Sequence, residues 1–178
     1  MIEQSEMHIG RIVREKTEED GRKVEWLAKK IHCKRSNVYK IFDRASIDTA
    51  RLLSISLALK IDFFAYLSDF YQNIVSTENN IDATFLTMLY NEFHVGKLIR
   101  KRVEEDGRKV GWLARKIHCK QRNIYNIFDR SSIDTEQLLK ISLVLKMDFF
   151  MYLSEFYLSM AGEVSLISHK TITKRDSY

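Results

Sequence analysis

The chain has 178 residues, of which 30% are charged and 45% hydrophobic, with a net charge of +5. This balance is typical of a folded globular protein and argues against intrinsic disorder. No window holds 18 uncharged apolar residues, so we expect no transmembrane helix, and the acidic residues 1–6 do not resemble a secretory signal. Two cysteines, Cys33 and Cys119, are too few for a disulfide scaffold and suit a reducing cytoplasm. With no proline and only six glycines, the composition favours an all-α fold.

An internal repeat organises the chain. Residues 8–71 align with residues 94–157 at an offset of 86 without a gap, and 43 of the 64 paired residues are identical. Two copies of this length are too few and too long for a solenoid, so the repeat predicts a tandem of two small domains. Each copy is basic, with 13 Lys and Arg against 9 Asp and Glu in the first and 13 against 8 in the second. A basic unit favours a polyanionic partner.

The repeat and the composition predict the domain boundaries. The four expected segments are a first domain at 1–75, a connector with a short helix at 76–93, a second domain at 94–162 and a loosely ordered tail at 163–178. The connector carries an apolar stripe at helical spacing, formed by Ile81, Phe85, Met88, Leu89 and Phe93. We expect this stripe to pack between the copies, against the fifth helices at residues such as Phe70 and Phe156.

Within one copy the apolar spacing predicts five helices. They are expected over residues 9–20 and 24–31, around Val38, Ile41 and Phe42, and after two N-capping aspartates, Asp48 and Asp62. Gly21 separates the first two helices, as a C-terminal glycine does, and the short turn 32–34 separates the second from the third.

The second and third helices, joined by that short turn, form a helix-turn-helix pattern. This motif needs a small residue where the helices cross, a permissive turn residue, and apolar residues that hold the two helices at one angle. The residues at these six constrained positions are Leu27, Ala28, Ile31, Cys33, Val38 and Ile41 in the first copy, and Leu113, Ala114, Ile117, Cys119, Ile124 and Ile127 in the second. The same positions filled twice are a strong signal for the motif.

Each copy resembles the Cro/XRE-type helix-turn-helix domain of the phage-repressor-like superfamily. The shared segment SIDTxxLLxISLxLKxDFFxYLS is also similar to the later helices of small bacterial XRE-type regulators. The resemblance covers both copies and implies an all-α fold of two tandem five-helix phage-repressor-like helix-turn-helix domains joined by a partly helical connector. His32 and His118 stand at the turn position where the family usually has glycine, so we expect them to adopt an unusual backbone conformation.

The resemblance also implies that the third helix of each copy enters the major groove. The expected base-reading residues are Lys34, Arg35, Ser36, Tyr39 and Lys40 in the first copy, and Lys120, Gln121, Arg122, Tyr125 and Asn126 in the second. The expected phosphate-binding residues are Arg22, Lys23, Arg44, Ser46, Arg108, Lys109, Arg130 and Ser132. Arginine and lysine suit guanine, and glutamine and asparagine suit adenine. Three of the five reading positions differ between the copies, which favours divergent base reading, although neutral drift of exposed residues predicts the same pattern.

Several of these residues have a second interpretation. Tyr39 and Tyr125 are equally consistent with a groove contact and with a packed ring. Trp26 and Trp112 fit packing better than a phosphate contact. The His32–Cys33 pair offers only two ligands per copy, so no metal site is expected.

The sequence therefore predicts sequence-specific binding of double-stranded DNA by a bacterial transcriptional regulator in the cytoplasm, associated with the nucleoid. No catalytic motif is present, so we expect neither an enzyme nor a cofactor. One alternative is a protein-interaction adaptor or antitoxin-like partner that uses the Phe-rich helices, and another is a non-specific nucleoid-type DNA binder. The two copies are expected to form an intrachain pseudo-dimer, with a homodimer as the rival arrangement.

Overall fold

A computed structural model of the chain describes residues 7–75 and 93–161. These residues are all-α, as predicted: they form ten helices and no strand. The first copy contains α1 (Ile9–Glu19), α2 (Val24–Lys30), α3 (Arg35–Phe42), α4 (Thr49–Leu59) and α5 (Phe63–Val75), and the second contains α6 (Val95–Glu105), α7 (Val110–Lys116), α8 (Gln121–Phe128), α9 (Thr135–Leu145) and α10 (Phe149–Ala161). None of the ten is long and apolar enough to cross a membrane. The predicted connector helix, with Ile81, Phe85, Met88 and Leu89, and the tail at 163–178 lie outside the described residues.

The helices end where the local sequence stops them. Helix α1 ends one residue earlier than predicted, because the chain turns at Gly21, whose φ is +65°. Helix α2 also ends one residue early, since His32 takes a φ of +51° and cannot continue the helix. Both predicted aspartate caps are confirmed: Asp48 accepts a hydrogen bond from the backbone of Ala50, and Asp62 accepts one from Phe64.

The start of α1 holds the end of α3. The backbone N–H groups of Ile9 and Gly10 donate to the carbonyl oxygens of Ala45 and Arg44, each at 3.1 Å. Gly10 makes this approach feasible, because a Cβ there would lie only 2.3 Å from the carbonyl oxygen of Ile41. The first helix therefore fixes the orientation of the third, and the second copy repeats the contact at Gly96.

The two copies pair through reciprocal contacts. An isolated antiparallel bridge joins Asp48 to Asp134. Its backbone hydrogen bonds run from Thr49 N to Ile133 O at 2.8 Å and from Thr135 N to Ile47 O at 2.9 Å. These two bonds are counterparts with the roles of the copies exchanged, which is the signature of an approximate two-fold axis.

A larger contact between the copies is made by α5 and α10. Ser68 donates to the carboxylate of Asp148, and Ser154 donates to that of Asp62, again in reciprocal fashion. Phe93, at the end of the predicted connector, packs on Phe156 of α10 with ring centroids 5.1 Å apart. A single hydrophobic core runs through both copies, so the tandem buries apolar surface that a 64-residue unit would leave exposed.

Candidate nucleic-acid interface

The turn between α2 and α3 is closed by the backbone and depends on a left-handed histidine. His32 has a φ of +51° and His118 a φ of +55°. The N–H of the next residue, Cys33, donates to the carbonyl oxygen of Ala28 in α2 at 2.9 Å. This hydrogen bond ties the turn to the end of α2. Histidine is among the residues that tolerate this conformation better than most. The unusual backbone conformation expected at both histidines is therefore confirmed.

Helices α3 and α8 each present one polar face outward and one apolar face inward. Val38 and Phe42 of α3 are buried, as are Ile124, Ile127 and Phe128 of α8. All ten residues predicted to read bases are exposed: Lys34, Arg35, Ser36, Tyr39, Lys40, Lys120, Gln121, Arg122, Tyr125 and Asn126. The two tyrosines are 43% and 51% exposed, and each ring also meets a phenylalanine one turn along, edge to face. The ring contacts support the packing interpretation in part, and the groove contact stays a prediction for rings that are exposed.

In the first copy Arg35 is held by two neighbours. Its Nη1 lies 2.8 Å from Oε1 of Glu25 on α2, and its Nη2 donates to the hydroxyl of Tyr39 at 3.0 Å. The guanidinium also lies over the Tyr39 ring, 5.5 Å from the centroid. The hydrogen bond with Tyr39, followed by the charge of Glu25, raises the pKa of Arg35 above its ordinary value. Arg35 therefore stays charged and is oriented before any ligand arrives.

The second copy replaces both members of this ion pair. Gly111 stands in place of Glu25, and Gln121 in place of Arg35. A Cβ at Gly111 would lie 2.5 Å from Nε2 of Gln121. The amide of Gln121 therefore lies against the bare backbone of α7, in space that a side chain at position 111 would occupy.

The candidate phosphate-binding arginines at the start of α2 and α7 are stacked on tryptophans. The guanidinium of Arg22 lies 4.5 Å from the ring centroid of Trp26, and that of Arg108 lies 4.6 Å from Trp112. Both tryptophans are half-buried, as the packing interpretation requires. The tryptophan rings orient the two arginine side chains. The neighbouring Lys23 and Lys109 add further positive charge at the same helix starts.

Two of the candidate phosphate-binding residues are engaged between the copies. The hydroxyl of Ser46 donates to Oδ2 of Asp134 at 2.8 Å, and that of Ser132 donates to Oδ2 of Asp48 at 2.9 Å. The other six candidates, Arg22, Lys23, Arg44, Arg108, Lys109 and Arg130, are exposed. The two serines thus already act in the pairing of the copies, which sequence reasoning did not foresee.

A basic groove beside α3 contains a residue that sequence reasoning missed. This open groove, of about 700 Å³, runs between α3 and the start of α4 and is lined by Lys40, Arg44 and Arg51 with the acidic Asp48 at one end. Arg51 reaches across it, and its Nη1 donates to the carbonyl oxygen of Ile31 at 3.1 Å. The second copy has Asn126, Arg130 and Gln137 at the corresponding positions. At these three positions the first copy therefore has two more cationic side chains than the second copy.

Glu25 was also missed by sequence reasoning. A signal was present, because the two copies differ together at 25 and 111 and at 35 and 121. Residues ten apart give no helical or strand periodicity, so only the fold shows that they touch.

The cysteines are structural in this fold. Cys33 and Cys119 are half-buried, and each thiol lies 3.5 Å from the carbonyl oxygen of the following lysine. Burial raises the pKa of the Cys119 thiol, which makes it less reactive. Within residues 7–75 and 93–161 no three His, Cys, Asp or Glu side chains are grouped as metal ligands would be.

In comparisons with family models, curated proteins and solved structures, no match to this chain was found. Function is therefore inferred from the chemistry and geometry of the site.

Proposed function

We propose that this protein binds double-stranded DNA in a sequence-specific manner and acts as a bacterial transcriptional regulator on the nucleoid, in the cytoplasm. Helices α3 and α8 enter the major groove, and their exposed residues read base edges. One observation carries the proposal: both copies expose the same five polar or basic positions at the start of a short helix whose other face is buried. The stacked arginines and the basic groove supply the phosphate contacts that set the register.

The reciprocal contacts support an intrachain pair as the DNA-binding unit. A two-fold rotation preserves the position along its axis, so α3 and α8 lie at the same level of the molecule. Duplex DNA has local two-fold axes of its own, and paired helix-turn-helix units use them by reading half-sites about 34 Å apart. We expect one chain to cover both half-sites. A complex of two chains on one site would favour the homodimer instead.

The burial of the Phe-rich helices argues against an adaptor. Phe63 and Phe64 of α5, and Phe149 and Phe150 of α10, are fully buried. Because α5 and α10 pack on each other, the apolar surface that an adaptor would use is already covered between the copies.

A binding selection on random duplex DNA, followed by a salt titration on the selected site, tests the proposal. We expect a defined motif with two half-sites. With about 4–8 phosphate contacts, log Kd should change with log salt by roughly 0.9 per contact. Sequence-blind binding would favour the nucleoid-type binder. No binding, or an affinity independent of salt, would refute DNA as the partner.

A further inference from the structure

We propose that positions 25 and 111, on the helix before each reading helix, determine which base the two copies prefer. This inference rests on the proposed DNA binding and names its specificity. Glu25 and Tyr39 hold Arg35 for a guanine in one half-site, whereas Gly111 lets Gln121 read an adenine at the equivalent step of the other. The preferred site is then a palindrome broken at this step.

The arginine arrangement leaves enough donors for a bidentate contact. A guanidinium has five N–H donors. One is directed at Glu25 and one at Tyr39, at 2.8 and 3.0 Å between heavy atoms. Three donors remain, and guanine N7 and O6 need two. Because two neighbours already restrict the side chain, less rotamer freedom is lost when it docks. Glu25 is therefore a positioning residue and not itself a base contact.

The arrangement of Gln121 needs a residue without a side chain at position 111, in contrast to the glutamate at position 25. Adenine presents one acceptor and one donor, which match the amide of Gln121. A glutamate at 111 would take the space in which that amide lies. It would also place a negative charge beside the DNA with no arginine to neutralise it. A glutamate at 111 would thus displace the Gln121 amide from its present position, so we expect the two differences between the copies to be coupled.

This coupling predicts an unusual rescue. Replacing Arg35 alone leaves Glu25 unpaired and facing the DNA, so R35Q should bind more weakly than the double variant E25G/R35Q. A residue that merely fills space at position 25 would show no such rescue. Together with E25G alone and the parent chain, these variants form a double-mutant cycle on one duplex, which separates the coupling from the general gain of removing a negative charge.

The experiment uses the full chain and its selected duplex. We expect E25G/R35Q to change the preferred base from guanine to adenine in one half-site, which makes the two half-sites alike at this step. The reciprocal variant G111E/Q121R should instead give guanine in both. E25Q should keep the guanine preference but weaken it by about two- to five-fold, the range of an exposed ion pair. Thermal unfolding of each variant, together with E25A/R35Q, which avoids a new helical glycine, controls for folding.

The outcomes separate this inference from the proposed function. If E25G/R35Q or E25A/R35Q folds normally and selects the same bases as the parent chain, positions 25 and 35 do not set specificity and the inference is wrong. The same holds if R35Q and E25G/R35Q bind equally. If the parent chain itself selects no motif, the proposed sequence-specific function fails as well.

Discussion

Replacing Gly10 by alanine tests how α1 positions α3. The new Cβ would lie 2.3 Å from the carbonyl oxygen of Ile41, 2.4 Å from that of Arg44 and 2.8 Å from that of Phe42. All three atoms belong to backbone at the end of α3 and its following turn, so no side chain can move aside. Helix α1 and the end of α3 must separate.

The expected loss of stability follows from the contacts at that point. Two backbone hydrogen bonds, donated by Ile9 and Gly10, are broken or stretched. Each contributes about 1 kcal/mol to the free energy of unfolding. Overpacking adds about 1–3 kcal/mol, and the better helix propensity of alanine returns about 1 kcal/mol. We therefore expect Gly10→Ala to lower the free energy of unfolding by about 2–4 kcal/mol. Gly96→Ala, its counterpart in the second copy, should behave in the same way.

Urea denaturation followed by circular dichroism measures this change. Gly21→Ala is the matched control, because nothing lies within 4 Å of a Cβ there. Gly21→Ala should lower the free energy of unfolding only by the penalty of a left-handed backbone for alanine, about 1–2 kcal/mol. If Gly10→Ala has the stability of the parent chain within about 0.5 kcal/mol, the close approach of α1 to α3 is wrong.

Three further predictions test other parts of the structure. Arg122→Ala should cost roughly 1–3 kcal/mol on the selected DNA and relax the preference at one base step, whereas Lys23→Ala should weaken binding to selected and random DNA equally. Equal losses for Arg122→Ala on both DNAs in a competition assay would make Arg122 a phosphate contact. His32→Val should destabilise the turn by about 1–2 kcal/mol in urea denaturation, because β-branched residues avoid positive φ, while His32→Gly should not; equal effects would contradict the left-handed turn. Burial and the neighbouring charge of Asp62 raise the pKa of Glu155. The native state therefore holds this proton more tightly than the unfolded chain, and stability falls as pH rises through that range. Glu155→Gln should melt higher than the parent chain at about pH 7, with the gain absent at about pH 3; a gain that does not depend on pH would refute this reasoning.

The sequence alone predicted the local structure of each copy well. Helical periodicity, the glycine between the first two helices and the aspartate caps are properties of short segments, and the all-α fold follows from them. The repeat made the prediction stronger, because each constrained position of the helix-turn-helix pattern could be checked twice. Helix ends were wrong by one residue at α1 and α2, where cap residues resemble helical ones.

The tertiary structure decided which residues of different segments meet. Sequence reasoning assigned Ser46 and Ser132 to phosphates, but both donate to aspartates of the other copy. It named no neighbour for Arg35, although Glu25 and Tyr39 hold its guanidinium. Periodicity reports which face of a helix is buried, whereas pairing between segments depends on how two such faces are brought together. That arrangement is a long-range property, set by the shared core of the two copies, and no local pattern contains it.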